Sequence, residues 1–268
     1  MSTSSALKVE TTETRVTLTL TRPDERNALG FPGDAEAFAA VAAQINADPH
    51  IRAVVVRGEG RAFSAGANIK DMRDRTGTFE GEGPALARAY ERGVQGILKS
   101  MWSIEVPVVA AINGPAMGLG LHLALCCDLR IAVKEAKFGV PFLKLGIVPG
   151  DGGAWVVSRV LGPTRAAELM FLSRTITAEE GASWGFLNEV VAPEALADRV
   201  EAAVTTLEGQ PPQALRLAKK LLRESYKLDF DSLMTLSASS MALVTSTEDH
   251  REALSAFFDK RPPSFQGK

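Results

Sequence analysis

An α/β core followed by an α-helical C-terminal region is the fold class that this 268-residue sequence predicts. Three observations carry it. Short apolar, β-branched runs alternate with helix-spaced segments through the first two thirds of the chain. Three of those runs lead into glycine-rich turns that open helices. From about Pro193 onward, every segment has helical periodicity or a cap-like start. Alternation argues a mixed core, and the closing run of helices argues an appendage to it.

The elements follow in order. MSTSSA is polar and lacks the apolar stretch of a signal peptide, so it reads as a frayed tail. TRVTLTL (14–20) alternates polar and apolar residues and predicts a half-buried strand, with RPDERN as the turn after it. DAEAFAAVAAQINAD has Phe38, Val41 and Ile45 at helical spacing, with Asp34 as the expected cap. AVVVR (53–57) is a strand, and SAGANIKDM is a loop entering a helix. Residues 71–84 are charged and glycine-containing and read as a mobile surface loop. Leu86, Tyr90, Val94, Ile97 and Met101 mark one long amphipathic helix. VPVVAAI (106–112) and DLRIAV (128–133) are strands on either side of the apolar helix in PAMGLGLHLALCCD. A further helix starts near Gly153 and stops at Gly162–Pro163.

Composition excludes several functions. Hydrophobic residues are 46% and charged residues 23%, ordinary for a globular chain. The formal net charge is -2, too small to draw nucleic acid or an acidic membrane. No apolar run reaches the roughly 18 residues of a membrane span. Cys126 and Cys127 are adjacent among leucines and read as reduced core thiols in a reducing compartment. No clustered Cys/His spacing points to a metal, and no GxSxG elbow points to a serine nucleophile.

The chemistry-bearing candidates sit in the three strand–turn–helix segments, AVVVRGEGRAFSAGANI, VVAAINGPAMGLGLHL and KLGIVPGDGGAWVV. Glycines let backbone approach a ligand closely. A helix N-terminus adds free amides and a positive dipole end. Two such ends aimed at one point would hold a developing oxyanion. Asp151, in PGDGG, is either a helix cap or a working carboxylate. His122, on the apolar helix, is either a core histidine or an acid/base group.

SAGANIKDM, IEVPVVAAINGPAMGLGLHLALCCDLRIA, FGVPFLKLGIVPGDGG and FFDKRPPSF, in this order and spacing, resemble the crotonase family, also called the enoyl-CoA hydratase/isomerase family. The likeness spans about residues 8–265. It implies a crotonase-like spiral of ββα turns with two near-perpendicular sheets. The spiral core would cover residues 1–195, and residues 196–268 would form a helical trimerisation region. It also implies a cytoplasmic homotrimer or hexamer acting on an acyl-CoA thioester, with coenzyme A as part of the substrate and no separate cofactor.

By the same resemblance, the amides of Ala67 and Leu119 grip the thioester carbonyl. Leu119 replaces a common glycine, and Asn68 a common aspartate. Two glutamates that position water in typical hydratases align with His122 and Phe142, so ordinary hydration is not expected. Asp151 stands where other members place a working aspartate, including some dienoyl-CoA isomerases. The expected chemistry is therefore isomerisation, or water addition through Asp151 and His122. A β-diketone C–C hydrolase and a catalytically silent CoA-binding protein are the alternatives. Arg26, Ala28, Ala65, Asn68 and Ile69 are the CoA contacts the resemblance implies, with Phe257 and Lys260 reaching the CoA from the C-terminal segment.

Overall fold

The computed structural model describes residues 6–268. The expected frayed tail, Met1–Ser5, lies outside the described residues. Ala6, the last residue of that expected tail, is buried.

Six strands form the main sheet: β1 (Leu7–Thr11), β2 (Arg15–Leu20), β3 (Ala53–Gly58), β4 (Val108–Ile112), β6 (Leu129–Val133) and β9 (Glu189–Val191). β1 pairs antiparallel with β2, and every later pairing in the sheet is parallel. Val54, Val56, Val108, Val109, Ala110 and Ile112 are all inaccessible. Continuous apolar runs of this kind belong to parallel strands covered on both faces. A second sheet joins β5 (Ala116–Met117), β7 (Lys137–Gly139) and β8 (Thr175–Thr177).

The helices are α1 (Asp34–Ala47), α2 (Ile69–Asp74), α3 (Gly83–Arg92), α4 (Val94–Ser103), α5 (Leu119–Cys126), α6 (Gly153–Phe171) and α7 (Ala178–Ser183), then α8 (Leu196–Glu208), α9 (Pro212–Glu224), α10 (Phe230–Thr245) and α11 (Glu248–Asp259). α1 packs on α4, and α8 lies across β3, β4 and β6. Leu196, Val200 and Val204 of α8 belong to the core, so core packing runs past the expected boundary at residue 195. No helix among the described residues is long and apolar enough to cross a membrane.

Several local expectations are corrected. Asp34 does not cap α1; Gly33 does. The Asp34 carboxylate instead accepts the amides of Gly30 and Phe31 and pairs with Arg22 at 2.8 Å, tying down the preceding turn. The segment 71–84 is not a loose surface loop. It contains the rest of α2 and a 3-10 turn at Gly77–Phe79, with Thr78 and Phe79 buried. The single long helix expected across Leu86–Met101 breaks at Gly93, where a side chain would collide with Thr78. α6 does not stop at Gly162–Pro163 but kinks there and continues to Phe171. Cys126 and Cys127 are buried and unbridged, and burial pushes the Cys127 thiol up to about 12.

Candidate active site

Two turns from separate strand–turn–helix units are laced together. The chain after β3 runs between the turn before α1 and the entry to α5. Ala65 N–H donates to Arg26 O at 2.8 Å, and Leu29 N–H to Gly66 O at 2.8 Å. On the other side, Ser64 N–H donates to Pro115 O at 3.2 Å, and Met117 N–H to Ser64 O at 2.9 Å. The Ser64 hydroxyl, fully buried, donates to Asn27 O and accepts from Gly66 N–H, so it fastens the turn.

Gly66 is a point of close approach between the two turns. Its φ is +89°, which a β-carbon disfavours. A β-carbon there would stand 2.5 Å from Met117 O and 3.1 Å from Leu119 N. The sequence can fold this way only with glycine at 66. The next residue is Ala67, and Leu119 is the first residue of α5. Among the described residues, neither the Ala67 amide nor the Leu119 amide has a hydrogen-bond acceptor. The Leu119 amide also sits at the positive end of the α5 dipole.

A narrow cleft lies in front of these residues. Its lining includes Ala67, Leu119, Phe142, Tyr90 and Asp151, with Met72, Phe79, Val94, Ile147 and Val148 as apolar walls. Asp151 is 5% exposed. Its Oδ1 accepts the Gly153 amide at 2.9 Å, at the start of α6. Its Oδ2 lies 2.6 Å from His122 Nδ1. Gly152, and not Asp151, is the N-cap of α6; the Asp151 carboxylate accepts the first helical amide, and the residue lines the cleft.

His122 is 0% exposed and is not among the cleft-lining residues. Its ring stacks on Phe142 at 5.5 Å between centroids. Nε2 is buried with no hydrogen-bond partner. We assign the tautomer with the proton on Nδ1, because that nitrogen faces a carboxylate that accepts it. The imidazole borders the cleft through two of the cleft's lining residues, Asp151 and Phe142.

The CoA-contact candidates divide into two groups. Arg26, Ala28, Ala65, Asn68 and Ile69 lie on the two turns joined by the Ala65–Arg26 hydrogen bond. Arg26, Ala65 and Ile69 are exposed, and Ala28 is buried. The Asn68 side chain caps α2 by accepting from Lys70 N–H at 3.0 Å. Phe257 and Lys260 belong instead to α11, which packs on α10. Phe257 is 78% exposed, and Lys260 closes α11 in a left-handed conformation.

Met72, Phe79, Ile147 and Val148 have no part in the sequence reading of the site. Tyr90 enters it only as one position on a helix face. The signal for Phe79 was its place as a lone aromatic in the polar run TGTFEGEG.

Residues 10–268 match the family model described as enoyl-CoA hydratase/isomerase. The chain belongs to the enoyl-CoA hydratase/isomerase family. A 1,2-epoxyphenylacetyl-CoA isomerase from Escherichia coli K12 is 36% identical, with 94% of this chain and 95% of that protein aligned. A crotonyl-CoA hydratase from Syntrophomonas wolfei is 35% identical over 97% of each chain. The crystal structure of an enoyl-CoA hydratase from Bacillus anthracis superposes with a TM-score of 0.90 at 29% identity, covering 98% of this chain and 100% of that one. The crotonase fold expected from the motifs is thus the fold of this enoyl-CoA hydratase/isomerase family member. The family acts on acyl-CoA thioesters, so the cleft is the place to look for the acyl group.

Proposed function

We propose that this chain is an isomerase of unsaturated acyl-CoA thioesters that works through an enolate. The Ala67 and Leu119 amides bind the thioester oxygen and stabilise the charge that develops on it. Rigid backbone donors suit this task because they need no reorganisation as charge appears. Asp151 removes the proton next to the carbonyl. His122 holds the carboxylate in one orientation, and the Gly153 amide holds its other oxygen. Arg26, Ala28, Ala65, Asn68 and Ile69 contact the CoA nucleotide. Phe257 and Lys260 reach the CoA of an adjoining copy in an oligomer.

One observation carries the reading: a buried carboxylate, fixed at both oxygens, lines the same cleft as two amides without acceptors. His122 and Phe142 stand at the positions of the two glutamates expected for paired hydration, and their rings are stacked on each other. A single base then serves the site, which suits moving a double bond better than adding water.

The likeness to a crotonyl-CoA hydratase favours hydration as the second reading. One experiment separates the two. A 3-enoyl-CoA and crotonyl-CoA are each incubated with wild type and Asp151→Asn while the conjugated thioester absorbance is followed. The 3-enoyl ester is converted, and Asp151→Asn lowers its kcat/KM by roughly 10²–10⁴-fold, the usual worth of a general base. Fast hydration of crotonyl-CoA that survives the substitution contradicts the proposal.

A further inference from the structure

Double-bond migration has two halves. One proton leaves a carbon, and another arrives at a different carbon. Asp151 accounts for the first half of the proposed reaction. Tyr90 is placed for the second.

Tyr90 lies in the last turn of α3, three residues before the break at Gly93. Its ring stands edge-on to Phe79 at 5.6 Å. On another side it packs against the residue before Asp151: a β-carbon at Gly150 would come within 3.2 Å of Tyr90 Cε1. Tyr90 and Asp151 are the two titratable side chains among the described residues lining the cleft. The Tyr90 hydroxyl makes no hydrogen bond to any described residue, and the ring is only partly buried. Burial, and after it the charge of Asp151, holds the phenol above its ordinary value. It therefore remains protonated, and a donor, at neutral pH.

We infer that Tyr90 is a second catalytic residue, the acid that delivers a proton to the far carbon of the allylic system that Asp151 deprotonates. This rests on the enolate reading above. With a 3-enoyl thioester, the Asp151 carboxylate takes a proton from Cα. That C–H pair becomes the Cα=Cβ bond, the Cβ=Cγ pair moves to Cγ, and the thioester oxygen carries charge in between. Cγ then forms a C–H bond with the Tyr90 proton and leaves a phenolate. Water then takes the proton from the Asp151 carboxyl and returns one to the phenolate. Both residues end as they began, and nothing is oxidised or reduced. The remaining walls are apolar or backbone, so the acyl group that fits is an uncharged, apolar 3-enoyl chain.

The test uses a 3-enoyl-CoA in deuterium oxide with wild type, Tyr90→Phe and Asp151→Asn. Phenylalanine keeps both ring contacts and removes only the hydroxyl. Mass spectrometry reads deuterium at Cα of recovered substrate, and absorbance reads migration. Tyr90→Phe is expected to keep α-exchange within about threefold of wild type and to lose migration by roughly 10²-fold, the scale of a general acid. Asp151→Asn loses both. Migration by Tyr90→Phe within about threefold of wild type overturns the role of Tyr90. Equal loss of exchange and migration also overturns it, because the ring would then be serving the fold or the binding step. A wild-type enzyme that migrates the bond without any α-exchange, and whose rate ignores Asp151→Asn, overturns the enolate reading and this inference with it.

Discussion

Gly153 carries no side chain, and the His122 ring occupies the space where one would be. That contact seats the imidazole against α6 and sets its Nδ1 on Asp151. An alanine at 153 must displace the ring. Gly153→Ala is expected to destabilise the fold by about 1–3 kcal/mol, the range for overpacking a filled core. It should also lower kcat more than it raises KM, because the carboxylate loses its orientation while the cleft stays open. Denaturant unfolding and steady-state kinetics check this, and a variant equal to wild type in both contradicts the positioning role. At this scale the sequence was partly legible. His122 and Asp151 stood out as titratable residues in apolar or glycine-rich settings. Their pairing spans 29 positions, and no local pattern encodes it. Whether His122 faced substrate or carboxylate depended on where α6 begins relative to α5.

Among the elements, α9 shows how a buried charge links chain segments. Lys219 Nζ lies 2.6 Å from Asp128 Oδ2 and donates to Val106 O at 2.6 Å, joining α9 to the strand entries of β4 and β6. Burial lowers the Lys219 ammonium from 10.5 to about 8, against the pull of Asp128. The folded chain therefore gives up this proton at lower pH than the unfolded chain. Below about 8 the cost of keeping the buried group charged is present in full. Between about 8 and 10.5 the unfolded chain binds more protons, so a rise in pH adds stability from this group. The melting-temperature difference between wild type and Lys219→Met should move toward wild type across that window. A difference that is flat with pH contradicts the assignment.

Most of the main-sheet strands and helices were readable because each carries its own periodicity. β1 was not, since only Leu7 of its five residues is buried and the rest face solvent. The α3–α4 break was not either. Apolar spacing runs straight through Gly93, and the break comes from Thr78, a distant residue packed against it. Phe79 was lost in the same way, as tertiary packing buries a short turn whose sequence is polar.

Taken as a whole, the molecule ends in helices that it does not cover. α10 and α11 present Phe230, Met234, Met241, Leu243, Phe257 and Phe258 to solvent. Large apolar side chains exposed along two packed helices point to an association site. Light scattering of the intact protein is expected to give a mass of three or six chains, and a stable monomer contradicts the proposed oligomer. The main sheet, the second sheet and the laced turns position Ala67, Leu119 and Asp151 within one subunit. The central claim concerns those three. A crystal structure with an unreactive acyl-CoA thioester tests it most directly. The carbonyl oxygen is expected at about 2.7–3.1 Å from both the Ala67 and Leu119 nitrogens, the range for an oxyanion site. The Asp151 carboxylate should lie about 3–3.5 Å from the carbon it deprotonates. A carbonyl bound away from the two amides, or an Asp151 carboxyl turned from the acyl carbons, would contradict the account.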